Sequence, residues 1–252
     1  GNYTGTQTFG WSIGKVRLMV TADDEAITFG DAVPVLTVSI VGFVNGENRD
    51  VLGGTPVITT AYTKGDDVGT YAISATGYTS DNYTIIYVPG TLTVGPAQFT
   101  VSVYGTHVYS GTEQAVTYTV TGVGPMVLGT DYTVSGEKAR YVGGYTLTVT
   151  GINNYVGTKT AAWYISKTPL TVTADGKTVT YGDSKPDLTL SYSGFVNGES
   201  EEDLGGSPVV ETAYAKGSTV GTYDITVSGY TSGNYDISYA KGTLTVVPAH
   251  LS

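Results

Sequence analysis

The sequence contains no cysteine, which excludes a disulfide framework, thiolate metal sites and cysteine nucleophiles. It has only two histidines, and no Gly-x-Ser-x-Gly elbow presents a serine to either of them, so we expect no enzymatic activity. His107 lies in an alternating run, where we expect a solvent-facing strand residue. Basic residues are also scarce, with 12 Lys and Arg against 22 Asp and Glu and a net charge of −10. Nucleic acid, which requires a basic surface, is therefore not an expected partner.

Long apolar runs are absent too. None approaches the roughly 20 residues that span a bilayer, so we expect no membrane insertion of this segment. Glycine and tyrosine are instead abundant, at 35 and 21 residues. Apolar and polar residues alternate in short runs, for example at 145–149, 170–174 and 223–227. Alternation of this length, bounded by Gly, Asn or Pro, predicts β-strands with one buried face, and therefore an all-β protein.

The chain repeats itself at an offset of 152 residues. The block 42–47, Gly-Phe-Val-Asn-Gly-Glu, returns unchanged at 194–199, and more than half of positions 1–100 are identical to those at 153–252. Two kinds of unit, named the A and B repeats, alternate within this period. The predicted division is residues 1–17, the C-terminal part of a preceding B-type repeat; 18–97, the first A repeat; 98–169, the B repeat; 170–249, the second A repeat; and 250–252, the start of the next repeat.

Short strands at 8–12-residue spacing predict that each repeat is a small antiparallel, immunoglobulin-like β-sandwich in an extended array. The acidic segment 199–204 ends in a leucine and suits one short helical turn. A β-grasp-like module, with a sheet packed on that helix, is the alternative fold. A single turn buries too little surface to anchor a sheet, so the sandwich is favoured.

Several motifs resemble the MBG domain (YGX type) of large bacterial surface proteins. They are Tyr-Gly-Asp at 181–183, Gly-Phe-Val-Asn-Gly-Glu, Val-Gly-Thr-Tyr and the closing Gly-Thr-Leu-Thr-Val. The signature positions are Phe29, Gly30, Asp31, Tyr181, Gly182 and Asp183, with Phe29 standing where the signature has tyrosine. The B repeat, with Tyr-Ser-Gly-Thr at 109–112 and Asn-Tyr-Val-Gly-Thr at 154–158, is similar to related bacterial immunoglobulin-like repeats. The resemblance implies adhesins and other cell-wall-associated proteins, and no particular ligand.

Acidic residues form one candidate metal site. Carboxylates at Glu199, Glu201, Glu202 and Asp203 could ligate calcium at a junction between repeats, because calcium takes six to eight oxygen ligands. The first A repeat carries Arg49 in the equivalent stretch, where it would oppose a cation. The acidic start of a short helix also explains the cluster. No other cofactor is expected.

Tyrosines form the candidate ligand site, since flat aromatic faces can stack on sugars. They recur in both A repeats, at Tyr78, Tyr83, Tyr87, Tyr230, Tyr235 and Tyr239. Tyrosine is also a preferred strand residue, and its occurrence at matched positions favours a packing role. Trp11 and Trp163, which also match each other, are expected in the core.

The sequence therefore predicts the spacer region of a bacterial cell-surface or secreted adhesin, which presents a binding tip away from the cell. Its expected partners are the neighbouring repeats of the same chain. One alternative is a module that binds host glycan, mucin or a host surface protein directly. Another is an accessory region of a secreted polysaccharide-degrading enzyme.

Overall fold

The structure is a computed structural model that describes residues 1–250, so Leu251 and Ser252, expected to begin another repeat, lie outside it. Within the described residues the chain is built of β-strands joined by turns, with two short 3-10 turns and no α-helix. The all-β prediction is therefore confirmed. No helix in this part of the chain is long and apolar enough to cross a membrane.

The chain forms two compact bodies. The N-terminal body comprises Gly1–Thr100, Val120–Thr133 and Thr150–Thr158, and the C-terminal body comprises Val101–Thr119, Val134–Val149 and the chain from Lys159 onward. The B repeat is thus shared, with part of it packing in each body. Each body is described separately below.

The first A repeat lies in the N-terminal body and is a sandwich of a three-stranded sheet, in the order β3-β1-β6, and a four-stranded sheet, in the order β2-β7-β5-β4. Alternate residues of β1, beginning at Leu18, are buried, and two of them, Val20 and Ala22, meet the buried faces of β5 and β7 in one apolar cluster. Full burial of each such side chain contributes roughly 1.5–3 kcal/mol. The strands are β1 (Val16–Ala22), β2 (Glu25–Thr28), β3 (Val38–Val41), β4 (Gly53–Thr60), β5 (Gly69–Thr79), β6 (Tyr83–Val88) and β7 (Gly90–Gly95).

Strands of the B repeat are short, and most of its four-stranded sheet belongs to the C-terminal body. In that sheet Trp163 is buried, and its indole N–H donates to the carbonyl of Gly136 at 3.0 Å. The prediction that Trp163 is a core residue is confirmed. The strands are β8 (Thr100–Tyr104), β9 (His107–Val108), β10 (Gln114–Ala115), β11 (Thr117–Gly122), β12 (Gly124–Pro125), β13 (Tyr132–Ser135), β14 (Lys138–Ala139), β15 (Gly143–Gly151) and β16 (Thr158–Ser166).

The second A repeat, in the C-terminal body, repeats the first. Its sheets have the orders β19-β17-β22 and β18-β23-β21-β20, and its core cluster includes Val172, Ile225 and Leu244 at the positions of Val20, Ile73 and Leu92. The strands are β17 (Thr168–Ala174), β18 (Lys177–Thr180), β19 (Leu190–Ser193), β20 (Gly205–Thr212), β21 (Gly221–Thr231), β22 (Tyr235–Ala240) and β23 (Gly242–Val247).

The sheets of both A repeats are mixed, which corrects the expectation of purely antiparallel strands. β1 runs parallel to β6 and β2 parallel to β7, and the second A repeat has the equivalent pairs. The chain passes from the three-stranded sheet to the four-stranded sheet between β1 and β2. Each of these two strands therefore lies beside a strand from the end of the repeat, β6 or β7, that runs in the same direction. Alternation along a strand reports its buried face and not its partner, which is why the sequence did not reveal this.

The acidic segment forms one 3-10 turn, Glu201–Asp203, with no buried residue. Ser200 caps it, and Asp203 returns a hydrogen bond to the backbone N–H of Ser200, which is a capping box. The equivalent turn in the first A repeat is Arg49–Val51. The short helical turn is confirmed, whereas the β-grasp alternative is wrong because this turn buries nothing against a sheet.

Residues 1–15 form no strand, and Trp11 is 82% exposed, so the prediction that Trp11 lies in a core is wrong. Its counterpart Trp163 is buried because β15 and β9 flank β16 in one sheet. No such strands accompany Trp11 among the described residues.

Candidate functional site

The A and B repeats meet through specific side chains in each body. In the C-terminal body the ring of Tyr109, from the B repeat, packs edge-on against Tyr235 of the second A repeat, with ring centroids 5.7 Å apart. Both rings are buried. Edge-to-face packing of this kind adds about 0.5–1.5 kcal/mol beyond the buried area.

Glu199 joins these two tyrosines. Its Oε1 accepts from the hydroxyl of Tyr109 at 2.6 Å and its Oε2 accepts from Tyr235 at 2.5 Å. Burial, together with the hydrogen bond to the carboxylate, raises the pKa of Tyr109 to about 12. The same two causes raise the pKa of Tyr235. The cluster therefore holds both hydroxyls protonated and donating to one shared acceptor.

The turn that carries Glu199 makes a second contact with the B repeat. Asn197 adopts a left-handed φ of 54°, and its Nδ2 donates to the carbonyl of Gly111 at 3.0 Å. A β-carbon at Gly111 would lie 2.5 Å from Cβ of Asn197, so this approach requires glycine. Nearby, Oδ1 of Asn234 accepts from the backbone N–H of Val142 at 3.3 Å.

The N-terminal body contains the other junction. Phe29 of the first A repeat packs edge-on against Tyr155 of the B repeat, with centroids 5.6 Å apart. The backbone pairs here as well, because Ala97 donates to the carbonyl of Asn154 at 2.9 Å and accepts from the N–H of Val156 at 3.0 Å.

The Asn154 side chain completes this junction. Its Oδ1 accepts from the N–H of Val68 at 2.9 Å, and its Nδ2 donates to Oδ1 of Asp67 at 2.7 Å. One amide thus satisfies a donor and an acceptor on the first A repeat. The repeated Asn-Tyr motif of the B repeat is in this way a contact with the preceding A repeat.

The family-signature residues form a tight turn at this junction. The Asp31 carboxylate accepts from the N–H of Thr28 at 2.9 Å, and the carbonyl of Asp31 accepts from the hydroxyl of Tyr62 at 2.8 Å. Gly30 has a φ of 91°, and a β-carbon there would lie 2.2 Å from Cγ1 of Val123 in the B repeat. The aspartate therefore closes the turn, while glycine and the aromatic residue face the neighbour.

The same turn in the second A repeat is equally well formed. Asp183 accepts from the N–H of Thr180 at 2.7 Å, and Tyr214 donates to its carbonyl at 2.7 Å. Gly182 has a φ of 95°, and a β-carbon there would find no other atom within 4 Å. Tyr181 is 51% exposed.

The candidate calcium ligands are engaged separately. Glu199 accepts from Tyr109 and Tyr235, Glu201 accepts from the hydroxyl of Tyr192, and Asp203 accepts from the N–H of Ser200. Glu202 is exposed. Over residues 1–250 no group of three or more His, Asp or Glu side chains is placed to hold a metal ion. Calcium binding stays a prediction.

The candidate sugar-binding tyrosines differ in exposure. Tyr78, Tyr83 and Tyr235 are buried, whereas Tyr87 and Tyr230 are half-buried and Tyr239 is 39% exposed. Several hydroxyls bind the backbone of their own repeat, as Tyr87 does with the N–H of Tyr78 at 2.7 Å. The buried rings present no face to a sugar, so a glycan site in this set would depend on the exposed ring of Tyr239.

The sequence did not reveal which residues meet across the junctions. Tyr109 and Glu199 are 90 positions apart, and Asn154 and Val68 are 86 apart. The one signal in the sequence was that each of these residues belongs to one of the motifs quoted above. His107 also differs from expectation: it is half-buried, and its ring lies 5.3 Å from that of Trp163.

The chain consists of repeated β-sandwiches that contact one another through specific side chains. This places it in the class of structural tandem-repeat proteins. The MBG domain (YGX type) family model matches residues 18–93 and 170–245, more than half of the sequence. The chain therefore belongs to the MBG domain (YGX type) family, as its motifs indicated. No curated protein sequence matches it significantly.

Distant likenesses to solved structures accompany this match. The three N-terminal domains of the highly immunogenic outer capsid protein of bacteriophage RB49 align with 14% identity over 94% of this chain and 99% of theirs, with a TM-score of 0.29. The I9–I11 tandem from titin aligns with 13% identity over 94% and 98%, with a TM-score of 0.24. The S-layer protein rSbsC aligns with 15% identity over 83% and 37%, with a TM-score of 0.27. Family membership rests on the sequence match.

Proposed function

We propose that this chain is a spacer region of an extracellular bacterial surface or secreted adhesin, which holds a binding region away from the cell. Its family, its alternation of A and B repeats and its acidic, weakly charged composition support this function. The observation that carries the proposal is the structure of the junctions. Each end of the B repeat is fixed to its A repeat by an aromatic pair and by side-chain hydrogen bonds.

Fixed junctions matter because a spacer must resist folding back. The mean end-to-end distance of a flexible linker grows only as the square root of its length. Aromatic packing and oriented amides instead hold the part of the B repeat in each body against the A repeat of that body. The energetic contribution of each contact is small, yet a few of them outweigh the freedom of a short linker.

Small-angle X-ray scattering of the intact chain tests the proposal. A compact protein of 252 residues has a radius of gyration of roughly 18 Å. We expect a distinctly larger value with little flexibility, and we expect Tyr109→Ala with Asn154→Ala to increase the flexibility while each repeat stays folded. Glu47→Ala is the matched control, because Glu47 corresponds to Glu199 and contacts no B-repeat tyrosine in the described chain. A compact, globular particle would refute the spacer function.

A glycan array probed with the intact chain provides the second test. The spacer function predicts no saturable binding. Saturable binding that Tyr239→Ala abolishes, and that Tyr83→Phe leaves intact, would instead establish the direct-binding alternative.

A further inference from the structure

The first A repeat has an open pocket of about 300 Å³ beside its opening strand. It lies between the segment Ile13 to Val16, the turn that carries Asn45 and Glu47, and the start of β6 at Tyr83. We call it the N-side socket. It is lined by backbone and by side chains that can donate and accept hydrogen bonds.

The equivalent place in the second A repeat is filled. At the offset of 152 residues, Asn45, Glu47 and Tyr83 correspond to Asn197, Glu199 and Tyr235. Those three residues bind the Tyr-Ser-Gly turn of the B repeat, through the Tyr109 hydroxyl, the Tyr109 ring and the Gly111 carbonyl. The N-side socket therefore has the residues of an established interface without its occupant.

The N-side socket contains a hydrogen-bond acceptor that no described donor reaches. Glu47 Oε2 accepts from Tyr83 at 2.5 Å, as Glu199 Oε2 does from Tyr235, but no donor among residues 1–250 reaches Glu47 Oε1. Its Oε1 corresponds to the atom that accepts from Tyr109. Val44 is 39% exposed, whereas the matching Val196 is half-buried beside the B repeat.

A second observation concerns residues 1–17, which align with the last 17 residues of the B repeat. Phe9, Trp11 and Ile13 alternate as a strand does, yet each is more than 80% exposed. In the B repeat the residues that match Trp11 and Ile13 are buried in β16. The exposed row therefore has the pattern of a strand whose sheet partners are missing from the described residues.

We propose that the N-side socket and residues 1–17 together dock a B-type repeat. The repeat's Tyr-x-Gly turn enters the socket, where its tyrosine donates to Glu47 Oε1, its glycine carbonyl accepts from Asn45, and Phe9, Trp11 and Ile13 complete its sheet. Glycine is required two positions after the tyrosine for the reason found at Gly111. The inference holds whether the array serves as a spacer or binds a ligand.

The chain itself supplies the probe. Residues 98–152 placed ahead of Gly1 recreate a complete B-type repeat in register, because residues 1–17 match 153–169. The added segment contains no tryptophan, so Trp11 and Trp163 remain the two reporters. In the unextended chain acrylamide should quench Trp11 and spare Trp163. In the extended chain we expect both to be protected.

Substitution of the socket distinguishes docking from simple completion of a strand. Glu47→Gln should lower the unfolding midpoint of the extended chain as much as Glu199→Gln lowers that of the original chain, and should lower it less in the chain without the added segment, where it affects only the hydrogen bond from Tyr83. Tyr→Phe at the added copy of position 109 should lower the midpoint of the extended chain by a similar amount. Combining it with Glu47→Gln should lower the midpoint little further than either substitution alone. If Trp11 stays quenchable, or if Glu47→Gln acts equally in both chains, the proposal is wrong. The radius of gyration from small-angle X-ray scattering tests the spacer function separately.

Discussion

The signature glycine of each A repeat can be replaced by alanine to compare two effects. One is the backbone strain that the turn imposes, and the other is the steric overlap that the junction with the B repeat adds. Gly30 and Gly182 have nearly equal φ values, 91° and 95°. A methyl group at position 30 would lie 2.2 Å from Cγ1 and 3.1 Å from Cβ of Val123, whereas position 182 has open space. The two substitutions therefore introduce the same backbone strain but only one introduces a steric overlap.

The expected magnitudes follow from these distances. A left-handed conformation costs an alanine roughly 1–2 kcal/mol, and this applies to both variants. Overpacking adds typically 1–3 kcal/mol, and Val123 relieves little of it because its β-carbon is itself close and its χ1 is stiff. Gly30→Ala should thus destabilise its surroundings by about 1–3 kcal/mol more than Gly182→Ala does, a factor of roughly 5 to 150 in an opening equilibrium.

Hydrogen exchange with peptide resolution is the appropriate assay, because a chain of several repeats need not unfold in one step. Gly182→Ala should accelerate exchange in the second A repeat alone. Gly30→Ala should accelerate it more strongly in the first A repeat and also in Val120–Thr133, which packs in the same body. Equal effects confined to the substituted repeat would refute the role of this glycine in the junction.

Three further predictions concern tyrosines. Tyr109→Phe and Glu199→Gln should each cost about 1.5–3 kcal/mol in unfolding monitored at Trp163, and a double-mutant cycle should show coupling of similar size; additivity would contradict the shared hydrogen bond. Since the pKa of Tyr109 is raised from 10.0 to about 12, its stabilising contribution is complete below pH 10 and is lost as the pH rises towards 12. The difference in unfolding free energy between the wild type and Tyr109→Phe should therefore shrink over this range, and a constant difference would contradict the raised pKa. The buried hydroxyl of Tyr78 lacks a partner where its counterpart Tyr230 bonds Tyr192. Ile40→Tyr, at the position of Tyr192, should therefore raise the free energy of unfolding by about 1 kcal/mol, and no gain would mean that the added ring does not fit.

Local features of this fold follow from the sequence. Alternation at 145–149 and 170–174 predicts strands that the structure contains, because a half-buried strand must alternate whatever its partner. The acidic turn is equally local, since Ser200 and Asp203 cap each other within four residues. The 152-residue offset transfers each such feature from one A repeat to the other.

Partners distant in sequence were not predictable in this way. The parallel β1–β6 pair joins residues more than 60 positions apart, and nothing in either strand's pattern specifies its neighbour. The junctions are harder still, because Tyr109 meets Glu199 only after two repeats have folded. Trp11 shows the converse: its motif matches that of Trp163, but a matching motif does not bury a side chain unless the surrounding strands are present.

The parallel strand pairs have a consequence for the response to tension. A pull on both ends of an A repeat enters at β1, just before β2, and leaves at the end of β7. Because β2 and β7 are parallel, the pull drags them in opposite directions along their shared length, and the pairs from Glu25↔Leu92 to Thr28↔Gly95 are loaded simultaneously. An antiparallel hairpin pulled at its open end would instead lose its bonds one at a time. The A repeat is thus arranged to rupture slowly under force, and its forced-unfolding rate is the quantity that measures this resistance.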